Sequence, residues 1–165
     1  MAVEVQTDRA ASVPRDARLA AGAALIDGEV VPIDEARIPI TDTGFSRSDL
    51  TYDVVAVWGG AFFRLDAHLD RFERGCERLR LDPGLGREQI AAALANLVRR
   101  TGLRESYVDI ICTRGVPAAG SRDPRTFRNR FYADFTEEID RWTADATAVA
   151  EREEANWRRQ QQLLG

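Results

Sequence analysis

A change of hydrophobic period at Leu65 sets what this chain can fold into. Before it, apolar residues come in short β-rich bursts broken by turn signals. After it, Leu65, Leu69, Phe72, Cys76 and Leu79 recur at spacings of 4, 3, 4 and 3, which stacks them on one face of a helix. Asp66 is placed to cap that helix and Asp82-Pro83 to close it. A second helix is predicted from about Arg87 to Thr101, with Ile90, Leu94, Leu97 and Val98 inward and Gly102 as the stop. Upstream, Ala23–Ile26 and Val30–Ile33 flank Asp27-Gly28, a strong hairpin signal, with Ile38–Thr43 extended or looped after it. Thr51–Val57 and Ala61–Leu65 flank Gly59-Gly60 as a second hairpin. Downstream, Ser106–Thr113 and Arg130–Ala133 read as strands around a loop at Val116–Arg125. The pattern predicts an α+β fold: a small antiparallel sheet of hairpins with two helices packed on one face.

The flanks lack this order. Residues 1–21 show no period and read as a flexible leader. Residues 135–165 carry sparse apolar positions (Ile139, Trp142, Ala146, Val149, Trp157) among dense charges and read as a polar helical tail that Thr136 could cap. A domain over residues 22–134 is expected between them. A length of 165 residues suits one core, and 44% apolar with 30% charged residues is ordinary for a folded chain. No apolar run is long enough for a membrane span and no signal segment opens the chain, so the expected place is the cytoplasm. A formal charge of −4 argues against nucleic acid as a partner.

Two scarcities bound the chemistry. All 23 basic residues are arginine, so no side-chain amine is present for a Schiff base or a desolvated general base. One histidine and two cysteines, Cys76 and Cys112, offer too few nitrogen and sulfur ligands for a zinc site, and the expectation is no metal and two buried thiols.

Three segments could carry chemistry. Asp42–Asp53 (Asp-Thr-Gly-Phe-Ser-Arg-Ser-Asp-Leu-Thr-Tyr-Asp) places a glycine turn and mixed polar and aromatic groups at the mouth of a strand, although an ordinary turn would look the same. His68 and Arg71 lie i, i+3 on the first turns of the Leu65 helix, where an imidazole and a guanidinium can face an anion; an ion pair of Arg71 with Asp70 or with a carboxylate from elsewhere is the alternative. Arg114, Arg122, Arg125, Arg128 and Arg130 converge on one loop, which suits carboxylate recognition or a merely solvated basic surface.

In this order and at these separations, the segments resemble the N-terminal domain of the class IV (fold-type IV) aminotransferases, over roughly Ala21–Ala133. The likeness is nearest to the (R)-amine transaminase and branched-chain branch, through Glu35–Asp42 leading into Ser48–Asp53. The resemblance implies pyridoxal phosphate as cofactor, with the phosphate gripped by Arg71. It also implies a substrate pocket lined by Phe45, Arg47, Tyr52, Arg114 and Arg122, amino group transfer between an amine or amino acid and a keto acid, and a homodimer. Arg47 departs from the histidine of the amine-transaminase branch. Family members draw the lysine that tethers the cofactor from a larger C-terminal domain, and residues 134–165 do not resemble the linker to it. The resemblance therefore implies a truncated enzyme, inactive alone, with no catalytic residue in this chain. A non-catalytic dimerisation or phospho-ligand-binding domain is the alternative.

Overall fold

The computed structural model describes residues 16–136. Strand β1 (Gly22–Ile26) turns into β2 (Glu29–Pro32) through Asp27 and Gly28, both at positive φ (52° and 85°), the pair of left-handed residues that a two-residue hairpin needs. A short helix α1 (Thr43–Arg47) leads into β3 (Leu50–Trp58), and Gly59-Gly60 turns the chain into β4, only Ala61–Phe62 long. Two fifteen-residue helices follow, α2 (Leu65–Leu79) and α3 (Arg87–Thr101). Strands β5 (Ser106–Val116) and β6 (Arg128–Thr136) complete a six-stranded antiparallel sheet of order β2-β1-β6-β5-β3-β4. The fold is α+β, with the two hairpins at the sheet's edges and the long β5–β6 pair at its centre.

The strand alternation decides where the helices go. Ala23, Leu25, Val55, Val57, Val108, Ile110, Cys112, Phe131, Ala133 and Phe135 point to one face and join Leu69, Phe72 and Cys76 of α2 and Ile90, Leu94 and Leu97 of α3 in a single core. Each fully buried Leu or Phe there contributes about 1.5–3 kcal/mol. The opposite face carries Ile26, Tyr132, Ile111 and Tyr52 in one cross-strand row and Ala24, Asp134, Asp109 and Val54 in the next. No helix of eight residues or more covers that face among the described residues.

Several boundaries differ from the sequence reading. Leu19, inside the expected leader, is fully buried in the core as the last residue of a 3-10 turn at Ala17–Leu19. Asp66 sits within the first turn of α2; the N-cap is Arg64, in the left-handed conformation (φ 52°), so the second hairpin ends at Phe62. The helix stops at Arg80, also left-handed, whose N–H returns to the Cys76 and Glu77 carbonyls before Asp82-Pro83 is reached. Strand β6 is longer than expected, and Thr136 belongs to it, opposite Gly22 and Tyr107. The expected tail helix lies otherwise outside the described residues, as does most of the leader.

Candidate cofactor-phosphate and substrate site

The segment before β3 folds around one carboxyl group. Asp42 is fully buried and caps α1 by accepting from the Gly44 N–H at 2.8 Å; its other oxygen accepts from Thr113 Oγ1 and from the Tyr132 hydroxyl, each at 2.9 Å. Burial and the Asp42 acceptor together push the Tyr132 phenol well above its usual range. Thr43 adds a bond from Oγ1 to the Gly115 carbonyl at 3.0 Å. These bonds fix α1, and so Phe45 and Arg47, against β5 and β6. Sequence reasoning missed the α1 helix and the Asp42 hub; a short capping residue before Thr-Gly was the available signal.

Strand β3 then delivers its alternate residues to the two faces. Asp53 points under α2, with only 3% of its side chain exposed. Arg71 reaches it with a two-pronged fork, Nε to Oδ2 and Nη2 to Oδ1, both at 2.7 Å. The carboxylate that pairs with Arg71 is thus from elsewhere in the chain, as one alternative required, while Asp70 pairs with Arg87 at 2.9 Å. His68 Nδ1 stands 2.8 Å from Asp53 Oδ1, so that nitrogen carries the proton and donates to the carboxylate. The 3.1 Å approach of Arg71 Nη2 to the same nitrogen is then a contact between two donors. Burial opposes ionisation of Asp53, but the Arg71 fork and the His68 bond outweigh it and hold the carboxyl below the usual carboxylate range. Asp53 in turn raises Arg71.

The Arg71 side chain remains 60% exposed, and its Nη1 makes no hydrogen bond among the described residues. A carboxylate holds one edge of the guanidinium while the other faces outward near the start of α2. That arrangement fits a phosphate oxygen.

Residue Tyr52, next to Asp53, projects exposed from the opposite face, so Arg71 and Tyr52 stand on either side of β3. From Leu50 to Ala56 the outer edge of β3 has no strand partner among the described residues, since β4 pairs only with Val57 and Trp58. Phe45 of α1 and Leu50 line a cleft of about 320 Å³ on the face opposite α2 and α3, together with Ile111, Thr113 and Tyr132. Arg47, Tyr52, Arg71, Arg114 and Arg122 are not part of its wall.

The arginines of β5, β6 and the loop between them do not converge. Arg114 grips the Asp49 carboxyl with Nε and Nη2 at 3.2 Å, and gives Nη1 to the Arg80 carbonyl at 2.8 Å and Nη2 to the Leu79 carbonyl at 2.6 Å. It clamps the end of α2 onto the loop before β3. Arg125 pairs with Asp123, Arg130 with Asp27, and Arg122 is exposed on the loop. Arg128 and Arg130 line a separate cleft of about 710 Å³ with Gly28 and Asn129.

Comparison with known proteins identifies the family and the fold. The family described as amino-transferase class IV matches residues 50–161, a stretch that runs on past the described part of the chain. A D-alanine aminotransferase of Listeria monocytogenes is 29% identical over 92 residues, 56% of this chain and 32% of its own length. Among solved structures, the branched-chain aminotransferase of the archaeon Thermoproteus uzoniensis with norvaline superposes with a TM-score of 0.58 at 23% identity, over 69% of this chain and 39% of that one. The Escherichia coli branched-chain enzyme gives 0.60 at 14%, over 69% and 38%. The chain thus spans about a third of the length of the curated relatives it matches and shares the fold of the solved ones. With a family match over more than half of its residues, this chain belongs to the class IV aminotransferases.

Proposed function

We propose that these residues form the part of a pyridoxal phosphate-dependent transaminase that grips the cofactor phosphate and supplies one wall of the substrate pocket. The observation that carries this reading is the Arg71 guanidinium, steered by buried Asp53 and open on its outer edge. Arg71 donates to a phosphate oxygen, Asp53 fixes the plane of the fork, and the His68 N–H keeps Asp53 ionised and in place. When bound, the cofactor supplies an electron sink for bond breaking at the substrate carbon. On this reading Phe45, Arg47 and Tyr52, all exposed, line the substrate pocket, and Arg122, exposed on its loop, meets a substrate carboxylate. Arg114 acts at one remove, by holding Asp49 and the end of α2.

The substrates on this reading are an amino acid or amine and a keto acid, as the names of the aminotransferase relatives suggest. The working form is a cytoplasmic homodimer, a reading supported by the exposed Tyr52 and Tyr107 of neighbouring strands. Among the described residues no helix is long and apolar enough to cross a membrane. The 165 residues hold no lysine, so covalent attachment of the cofactor requires an amine from outside them, and the isolated chain gives no turnover. Titration of the chain with pyridoxal phosphate tests the reading. Saturable binding that weakens about 10- to 100-fold in Arg71→Ala, the worth of a charge-assisted hydrogen bond, is expected. Equal binding by both proteins would refute it.

A further inference from the structure

The two cysteines, distant in sequence, meet in the core. Gly75 lets α2 lie directly on β3, since a Cβ there would stand 2.2 Å from Thr51 Oγ1. Thr51 is the register partner of Cys112 on one side, and Phe131 is its partner on the other. The Phe131 ring meets Phe72 edge-on at 6.0 Å between centroids. Phe72 lies one turn before Cys76, so α2 is pinned on both flanks of Cys112 and carries Cys76 above it. Both thiols belong to the same buried core, and each perturbs the other: Cys112 lowers Cys76 from the ordinary thiol range, while Cys76 and burial raise Cys112. Both are free and buried. Their access differs, because Cys76 also lines a cleft of about 260 Å³ with Glu73, Glu77, Leu81, Pro83 and Ile90, and Cys112 does not.

We propose that Cys76 and Cys112 form a redox-active dithiol, in which a hydroperoxide admitted by the cleft beside α2 oxidises Cys76 and Cys112 resolves it into a disulfide joining α2 to β5. The division of labour follows from access: Cys76, which lines the cleft, attacks, and Cys112, sealed in the core, resolves. The Cys76 thiolate attacks one peroxide oxygen, the O–O bond breaks, and the departing oxyanion takes a proton, leaving a sulfenic acid on Cys76. The Cys112 sulfur then displaces that oxygen, the S–S bond forms as the S–O bond breaks, and water leaves with the Cys112 proton. Two electrons pass from the two thiols to one peroxide. Helix α2 carries His68 and Arg71, so the disulfide would staple the phosphate grip to the centre of the sheet.

The test is peroxide treatment of the folded full chain with one equivalent of hydrogen peroxide, then quenching, unfolding in alkylating reagent, cleavage after arginine and mass spectrometry. The expected result is one peptide pair joined through Cys76 and Cys112, lighter by two hydrogens, with both thiols lost together. In Cys112→Ser, Cys76 should be trapped as a sulfenic acid by a cyclic 1,3-diketone, whereas in Cys76→Ser, Cys112 should remain an unmodified thiol at the same dose. Two alkylatable thiols in treated wild type, a link between chains, or equal reactivity of the two variants would overturn the proposal. The wild-type result decides the matter even if a variant fails to fold.

Discussion

Replacement of Asp42 by alanine offers a quantitative view of how α1 is held. The carboxyl is fully buried and receives the Gly44 N–H, the Thr113 hydroxyl and the Tyr132 hydroxyl at 2.8, 2.9 and 2.9 Å. Loss of the cap costs about 1 kcal/mol. Each hydroxyl left inside without an acceptor adds about 1–3 kcal/mol, less whatever it regains by rotating. The sum is about 4 kcal/mol, a large share of the roughly 5–15 kcal/mol that stabilises a domain. With a urea m-value of about 2 kcal/mol/M, the unfolding midpoint should fall by about 2 M at unchanged slope. Tyr132→Phe alone should cost about 1 kcal/mol, and the double variant should cost less than the sum, because the second substitution removes a donor that the first has already orphaned. A midpoint shift below about 0.5 M for Asp42→Ala, or strict additivity of the pair, would refute the reasoning.

The remaining predictions follow from the same contacts. Arg114→Ala should destabilise the fold by about 2 kcal/mol, since it strips donors from the Leu79 and Arg80 carbonyls and from Asp49. Arg114→Lys should recover only part of that in urea unfolding, because one ammonium cannot reproduce the fork. On the face opposite α2 and α3, burial first and the charge of Asp109 directly opposite second push Asp134 up to about 6. A carboxyl raised above its unfolded value holds its proton longer in the folded state, so its contribution is favourable at low pH and is lost as pH rises from about 4 through 6. Asp134→Asn should therefore gain on wild type by roughly 2 kcal/mol between pH 4 and pH 7; a gap that stays constant would contradict this assignment.

What could be read in the sequence was what repeats over many residues. Fifteen residues at period 3.6 located α3 almost to the residue and α2 to within a turn at each end, and Asp27-Gly28 marked the first hairpin. A five-residue helix completes barely more than one turn, so α1 left no period to detect, and Arg64 entered the left-handed region without the glycine that usually marks it. Leu19 was assigned to a leader because one apolar residue among charges carries no pattern, yet the fold buries it completely. At the site, the i, i+3 spacing of His68 and Arg71 was visible, but their common partner Asp53 was not, because the register of α2 over β3 decides that meeting. The arginine-rich loop misled for a related reason. Proximity in sequence suggested convergence, whereas Arg114 is drawn to backbone carbonyls 34 and 35 positions away.

The central claim is that the outer edge of Arg71 recognises a phosphate. Dissociation constants of the full chain for pyridoxal phosphate and for pyridoxal, each measured with wild type and Arg71→Ala, test it most directly. Wild type should prefer the phosphorylated form by about 10-fold or more, and Arg71→Ala should lose most of that preference while its affinity for pyridoxal stays the same. An undiminished phosphate preference in Arg71→Ala would contradict the account.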